Sequence, residues 1–110
     1  MLKNKIAIIG MGYVGVPLSL LFAKKKFQLQ CYEIDKQKLK NLRIGKSYIN
    51  HIKDKDFSYL RKSKTEFYNK INKNISKNDF IIICVPTPVK SNLKPDLRYI
   101  KTTSELIAKY

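Results

Sequence analysis

The 110-residue chain contains only two cysteines and one histidine, and it has no apolar run long enough to cross a membrane. A spanning helix needs about 18–20 consecutive apolar residues, so we expect no membrane partner. Two cysteines in strand-like runs indicate neither a disulfide framework nor a metal site, and they favour a reducing, cytoplasmic location. Because the chain begins directly with a strand-like run, we also predict no signal peptide.

Acidic residues are scarce as well, with eight Asp and Glu against 23 Lys and Arg, which gives a net charge of +15. Such a charge suits a nucleic-acid or membrane surface. However, Lys outnumbers Arg by 20 to 3, and the lysines are scattered. Recognition of phosphates and bases favours Arg interleaved with exposed aromatic residues. We therefore predict a Lys-rich surface that binds no nucleic acid, and keep nucleic-acid binding as the more distant alternative.

No catalytic constellation is evident. The eight carboxylates form no persuasive acid–base pair, and His51 lies in a polar loop, where a surface histidine is the simpler interpretation. Cys31 and Cys84 each fall in a predicted buried strand, where burial raises the pKa of a thiol and makes it inert. The sequence therefore predicts no catalytic residue and no metal ligand in this chain.

The most informative feature is a G-x-G-x-x-G motif whose glycines are Gly10, Gly12 and Gly15. It follows the apolar residues 5–9, which predict a buried parallel strand, and it precedes a predicted helix at 14–26. The first glycine permits a tight turn, the second lets a pyrophosphate approach the backbone, and the third allows close packing of helix on sheet. Free N–H groups of the first helical turn would then face the phosphates.

A second predicted strand, at 28–32, ends at Glu33, which lies 18 positions after Gly15. A dinucleotide-binding βαβ unit carries an acid about 20 residues past its glycines. We expect Glu33 to accept hydrogen bonds from the ribose hydroxyls and to repel a 2′-phosphate, which favours NAD over NADP. Lys36 and Lys38 lie close enough to weaken that preference.

The rest of the chain contains short elements. After the second strand the pattern predicts a helix at 36–43 ended by Gly45, and then a loop at 46–53. A second helix is predicted from the cap Asp54 to about residue 61, followed by an extended segment at 62–65. A helix at 66–75 and a turn at 74–78 complete this region.

Residues 79–85 predict the strongest strand, buried on both faces, and the two prolines within residues 86–88 end it. Ligands of open α/β sheets bind outside the carboxyl ends of the strands. We therefore expect the 86–88 loop, stiffened by Pro86 and carrying the Thr87 hydroxyl, to lie beside the glycine loop. Asp96 is expected to cap a last helix.

Four segments together resemble the N-terminal NAD-binding domain of the UDP-glucose/GDP-mannose dehydrogenases: residues 10–18, 33–35, 84–88 and 94–97. Residues 45–52 look most like the UDP-N-acetylglucosamine 6-dehydrogenase branch. The resemblance implies a cofactor site in which Glu33 replaces the usual ribose-binding aspartate. The residues implied for that site are Gly10, Gly12, Tyr13, Val14, Gly15, Glu33, Lys38, Pro86 and Thr87.

The same resemblance implies a Rossmann-like, doubly wound α/β fold, of which residues 1–110 form only the N-terminal part. It implies an NAD-dependent oxidation of the C6 hydroxyl of a UDP-sugar to a carboxylate, using two NAD, for polysaccharide synthesis. The cysteine nucleophile of such enzymes lies far beyond position 110, and the complete enzyme is expected to be a homo-oligomer. The alternative is a nucleotide-binding fragment with no catalytic domain attached.

Overall fold

The computed structural model describes residues 4–110. Its centre is a four-stranded, all-parallel sheet in the order β3-β2-β1-β4. The strands are Lys5–Ile9 (β1), Gln28–Tyr32 (β2), Thr65–Tyr68 (β3) and Phe80–Ile83 (β4). The helices are Gly15–Lys24 (α1), Lys36–Ile44 (α2), Asp54–Lys62 (α3) and Arg98–Ala108 (α4), with a 3-10 helix at Lys73–Lys77. This strand order matches the first four strands of the doubly wound order, so the predicted Rossmann-like α/β class is confirmed.

Both faces of the central strand β1 are buried. Ile6 and Ile8 point into a core shared with α1, α2 and α3, whereas Ala7 and Ile9 point into a smaller core on the opposite face. Successive side chains of a strand alternate between faces, so a continuous apolar run is what a strand covered on both sides requires. Phe57 of α3 is the largest fully buried side chain of the first core.

Local capping explains where α2 begins and ends. The Asp35 carboxylate accepts hydrogen bonds from the backbone N–H groups of Gln37 and Lys38, at 2.9 and 3.1 Å. The helix ends at Gly45, whose φ of 78° is the left-handed conformation that glycine adopts without a Cβ penalty. The predicted stop at Gly45 is therefore confirmed.

The predicted cap of α3 is wrong. Asp54 is the first residue of the helix, and its carboxylate accepts the N–H of Ser47 at 2.8 Å instead. The Asp56 carboxylate reaches back to the N–H of Lys53 at 3.3 Å. Asp54 thus connects the 46–53 loop to α3.

The predicted helix at 66–75 is also wrong, because residues 65–68 form the edge strand β3. Phe67 pairs with Cys31 of β2, and Tyr68 pairs with Tyr32. The pairing with β2 outweighs a weak local helical pattern, since tertiary context overrides propensity. The extended segment predicted at 62–65 lies too early, and the predicted turn at 74–78 overlaps the 3-10 helix.

The strand predicted at 79–85 is shorter, and its predicted burial on both faces is wrong. β4 covers only Phe80–Ile83 and lies at the edge of the sheet among the described residues, and Phe80 is 55% exposed. The last helix begins at Arg98; the Asp96 carboxylate accepts the Arg98 N–H at 3.1 Å but is not itself the cap residue. Among residues 4–110, none of the helices has the length and apolar character that crossing a membrane would require.

Candidate cofactor-binding site

A cleft of about 880 Å³ opens at the carboxyl ends of β1, β2 and β4. Its walls come from the glycine loop, the segments that follow β2, β3 and β4, and one side of α4. Eight of the nine predicted site residues line it: Gly10, Gly12, Tyr13, Val14, Glu33, Lys38, Pro86 and Thr87. The ninth, Gly15, lies behind the loop as the first residue of α1.

Two of the glycines are required by close backbone contacts. Gly10 has a φ of 98°, and a Cβ there would lie 2.7 Å from the carbonyl oxygen of Cys84. A Cβ on Gly15 would lie 1.9 Å from the carbonyl oxygen of Gly10. Neither position accommodates a side chain without moving backbone. These two glycines therefore shape the loop and seat α1 against it.

Gly12 differs, because a Cβ there would meet no protein atom within 4 Å. Within residues 4–110, the backbone N–H groups of Gly12, Tyr13 and Val14 donate to no protein acceptor. Unpaired N–H groups at the start of a helix, next to open space, form an anion-binding arrangement. The loop therefore fits the pyrophosphate of a dinucleotide, with the room that a phosphate needs over Gly12.

Glu33 lies at the cleft but is already engaged with the backbone. It is 8% exposed, and its two carboxylate oxygens accept the N–H groups of Met11, at 3.0 Å, and Asp35, at 2.9 Å. Each oxygen keeps a second lone pair, so the carboxylate can still accept from a hydroxyl. These two contacts hold the negative charge in one place beside the glycine loop.

The basic and aromatic groups at the rim are more exposed. Lys38 lines the cleft with its Nζ 5.7 Å from the ring centroid of Tyr48, whereas Lys36 does not line it. The Tyr13 side chain is 67% exposed, and its ring stacks on that of His51 with 6.0 Å between centroids. His51 is an exposed loop residue, as predicted.

The two cysteines differ in their surroundings. Cys31 is fully buried, and desolvation raises the pKa of its thiol to about 12. Cys84 follows β4, is only partly buried and lines the cleft, so its predicted placement in a buried strand is wrong. Burial nevertheless raises the pKa of the Cys84 thiol as well. In the part of the chain that the structure describes, His, Cys, Asp and Glu form no group suited to a metal ion.

Two residues that support the site were not identified from the sequence. The Tyr48 hydroxyl donates to the carbonyl oxygen of Met11 at 2.5 Å. The Asn69 amide donates to the carbonyl oxygens of Glu33 and Ile34, at 3.1 and 3.0 Å, and so fixes the turn after β2. The position of Asn69 after a strand would have indicated the site, had β3 been identified. Tyr48 carries no such local signal.

Comparison with known proteins identifies the relatives of this chain. The family model for the NAD binding domain of the UDP-glucose/GDP-mannose dehydrogenase family matches residues 4–110. UDP-N-acetyl-D-glucosamine 6-dehydrogenase of Salmonella typhi is 35% identical over 103 residues, which cover 94% of this chain and 23% of that protein. UDP-glucose 6-dehydrogenase TuaD of Bacillus subtilis is 32% identical over 109 residues, which cover 97% and 24%.

A solved structure shows the same fold. The UDP-glucose dehydrogenase of Pyrobaculum islandicum superposes with a TM-score of 0.86 at 22% identity, covering 96% of this chain and 25% of that one. The chain thus spans about a quarter of the length of the proteins it matches.

Proposed function

Because the chain belongs to the UDP-glucose/GDP-mannose dehydrogenase family, we propose that residues 1–110 are the NAD-binding domain of a nucleotide-sugar 6-dehydrogenase. In this proposal the whole enzyme oxidises the C6 hydroxyl of a UDP-sugar to a carboxylate with two NAD. The observation that carries the proposal is the open space over Gly12, together with unpaired N–H groups on three residues that line a cleft of about 880 Å³.

The roles of the residues follow from their positions. The N–H groups of Gly12, Tyr13 and Val14 hold the pyrophosphate, and Lys38, which lines the same cleft, contacts the adenosine half. Glu33 accepts from the adenosine ribose, and its fixed carboxylate disfavours the 2′-phosphate of NADP.

Pro86 and Thr87 follow β4 and line the same cleft. The Thr87 hydroxyl can donate to or accept from the cofactor. NAD held by these residues would supply the hydride acceptor for the oxidation. In this proposal residues 4–110 bind and orient the cofactor.

We propose UDP-N-acetylglucosamine as the substrate, supported by residues 45–52, which resemble that branch of the family. The catalytic cysteine is proposed to lie outside this chain, since burial makes Cys31 inert and the pKa of Cys84 is raised. The raised pKa of both thiols also favours the second candidate, a nucleotide-binding chain that performs no oxidation. A homo-oligomeric, cytoplasmic enzyme remains part of the first proposal.

The first experiment measures binding of NAD, NADP and RNA to the 110-residue chain by calorimetry and thermal unfolding. We expect NAD to bind and to stabilise the fold, by about 2.7 kcal/mol when its concentration is 100 times the Kd. NADP should bind more weakly. RNA binding that weakens with salt, with no effect of NAD on unfolding, would contradict the proposal and favour a role for the +15 charge.

The second experiment separates the two candidates. The complete polypeptide from the source is identified by mass, and NADH formation is followed with UDP-N-acetylglucosamine, UDP-glucose and UDP-N-acetylmannosamine in turn. The dehydrogenase proposal predicts two NADH per sugar, with the first sugar preferred. NAD binding without NADH formation from any of them would support the non-catalytic candidate instead.

A further inference from the structure

The glycine loop is held by side chains from outside the motif. The N–H of Met11 donates to the Glu33 carboxylate at 3.0 Å, and the carbonyl oxygen of Met11 accepts the Tyr48 hydroxyl at 2.5 Å. The Met11 side chain is itself fully buried beneath the loop. The peptide groups before and after Met11 are therefore both fixed, one by Glu33, which follows β2, and the other by Tyr48 of the 46–53 loop.

The second of those peptide groups joins Met11 to Gly12, and it is trans. In a trans peptide the N–H points opposite to the C=O. A hydrogen bond that fixes the carbonyl of Met11 therefore also fixes the direction of the Gly12 N–H, which has no protein acceptor within residues 4–110. Hydrogen bonds in series polarise one another, so a donor at the carbonyl also makes this N–H a better donor.

Tyr48 is well placed to act as a fixed donor. Its ring packs edge-on against the buried Phe57, with 5.1 Å between centroids, and the Nζ of Lys38 lies over it, 5.7 Å from its centroid. Desolvation, together with the nearby Glu33 carboxylate, raises the pKa of Tyr48. The phenol is therefore neutral and keeps its proton throughout the physiological range.

We propose that Tyr48 is a positioning residue for pyrophosphate binding, which acts by orienting and polarising the Met11–Gly12 peptide group. The proposal rests on the proposed NAD-binding function and extends it to a residue outside the G-x-G-x-x-G motif. A purely structural alternative is that Tyr48 only anchors the 46–53 loop. The two differ in which ligands are affected when the hydroxyl is removed.

The test is Tyr48→Phe in the 110-residue chain, with ADP and adenosine as paired probes. ADP carries the pyrophosphate, whereas adenosine reaches only the Glu33 side of the site. We expect the Kd for ADP to rise about threefold to tenfold, as loss of one neutral hydrogen bond implies, and the Kd for adenosine to stay unchanged. The matched control is Tyr59→Phe, which removes a hydroxyl from α3 away from the cleft and should change neither Kd.

A spectroscopic measurement tests the mechanism directly. The amide proton of Gly12 should move upfield in Tyr48→Phe, since its peptide group loses a polarising donor, and it should not move in Tyr59→Phe. If Tyr48→Phe does not fold, a fluorotyrosine at position 48 keeps the shape and strengthens the donor. It should shift the Gly12 proton the opposite way and tighten ADP binding.

The possible failures are distinguishable. If the unmodified chain binds neither ADP nor NAD, the proposed function itself is wrong. If it binds ADP and Tyr48→Phe binds ADP equally well, the positioning role is wrong while the proposed function stands. Equal weakening of ADP and adenosine, with an unmoved Gly12 amide, would overturn the positioning role in favour of the structural one.

Discussion

Gly12 and Gly10 should separate cofactor binding from folding, although they lie two residues apart. Gly12→Ala adds a methyl group that meets no protein atom within 4 Å, at a residue without a positive φ. We therefore expect the free energy of unfolding to change by no more than about 0.5 kcal/mol. The same methyl group occupies the space needed by a phosphate, so the affinity for NAD should fall at least about tenfold, or 1.4 kcal/mol.

Gly10→Ala, in contrast, should lower the free energy of unfolding strongly. A non-glycine residue at a φ of 98° costs about 1–3 kcal/mol, and a Cβ 2.7 Å from the Cys84 carbonyl oxygen adds an overpacking cost of similar size. The fold should lose about 2–6 kcal/mol, a large share of the 5–15 kcal/mol typical of a domain. Gly45→Ala is the control: its φ is 78° and it lies away from the cleft, so it should cost about 1–2 kcal/mol and leave the affinity for NAD unchanged.

The assay is urea unfolding of each variant, followed by calorimetric titration with NAD under conditions where the variant is folded. Retention of full NAD affinity by Gly12→Ala would refute the reasoning, because the space over Gly12 would then not be where the pyrophosphate lies. A loss of stability in Gly12→Ala as large as that in Gly10→Ala would refute it too, since the loop would then tolerate no side chain at either glycine.

Four further predictions concern stability and reactivity. Phe57→Ala should lower the free energy of unfolding by about 3–5 kcal/mol in urea titrations, because it leaves a cavity in the larger core, while Phe80→Ala at the exposed edge should cost much less. A thiol reagent should modify Cys84 in the folded chain and Cys31 only after unfolding, and saturating NAD should slow the reaction of Cys84. Because the pKa of the Cys31 thiol rises from 9.0 to about 12 on folding, its contribution to the free energy of unfolding should be complete below pH 9 and decline above it. The variant Cys31→Ala should lack that decline. The side-chain hydrogen bond from Arg98 lowers the pKa of Asp96 to about 2. The contribution of the Asp96 carboxylate to the free energy of unfolding should therefore be complete above about pH 4 and be lost as the pH falls towards 2. Acid titrations of Asp96→Asn should lack that loss.

The cofactor side of the molecule could be predicted because its signals are local. Residues 5–9 and 28–32 form strands with the predicted bounds. In the first of them the apolar run that follows Lys5 indicates a buried parallel strand. Gly45 ends α2 because only glycine adopts its conformation cheaply. The prediction that the 86–88 loop lies beside the glycine loop followed from a rule of topology, that the carboxyl ends of parallel strands share one edge.

Elements that depend on distant partners were predicted poorly. β3 has a mixed polar sequence, and it is a strand because β2 offers it an edge, which no window around residues 65–68 reveals. β4 has the most apolar sequence in the chain, yet its burial depends on neighbours rather than on composition, and here it lies at an edge. Asp54 is a residue type typical of helix caps, but its carboxylate accepts a hydrogen bond from a backbone N–H of the preceding loop instead.

The sequence by itself determined the dinucleotide-binding motif, the fold class and the family, because glycines, an acid and apolar strands at fixed spacing are local properties of the chain. Tertiary structure decided how the glycine loop is held. Glu33 lies 22 residues from Met11 and Tyr48 lies 37 residues from it, and only packing of β2 and the 46–53 loop against the motif brings their side chains to one peptide segment. Contacts of that separation arise from the folded arrangement of whole elements, so no pattern in the neighbouring sequence encodes them.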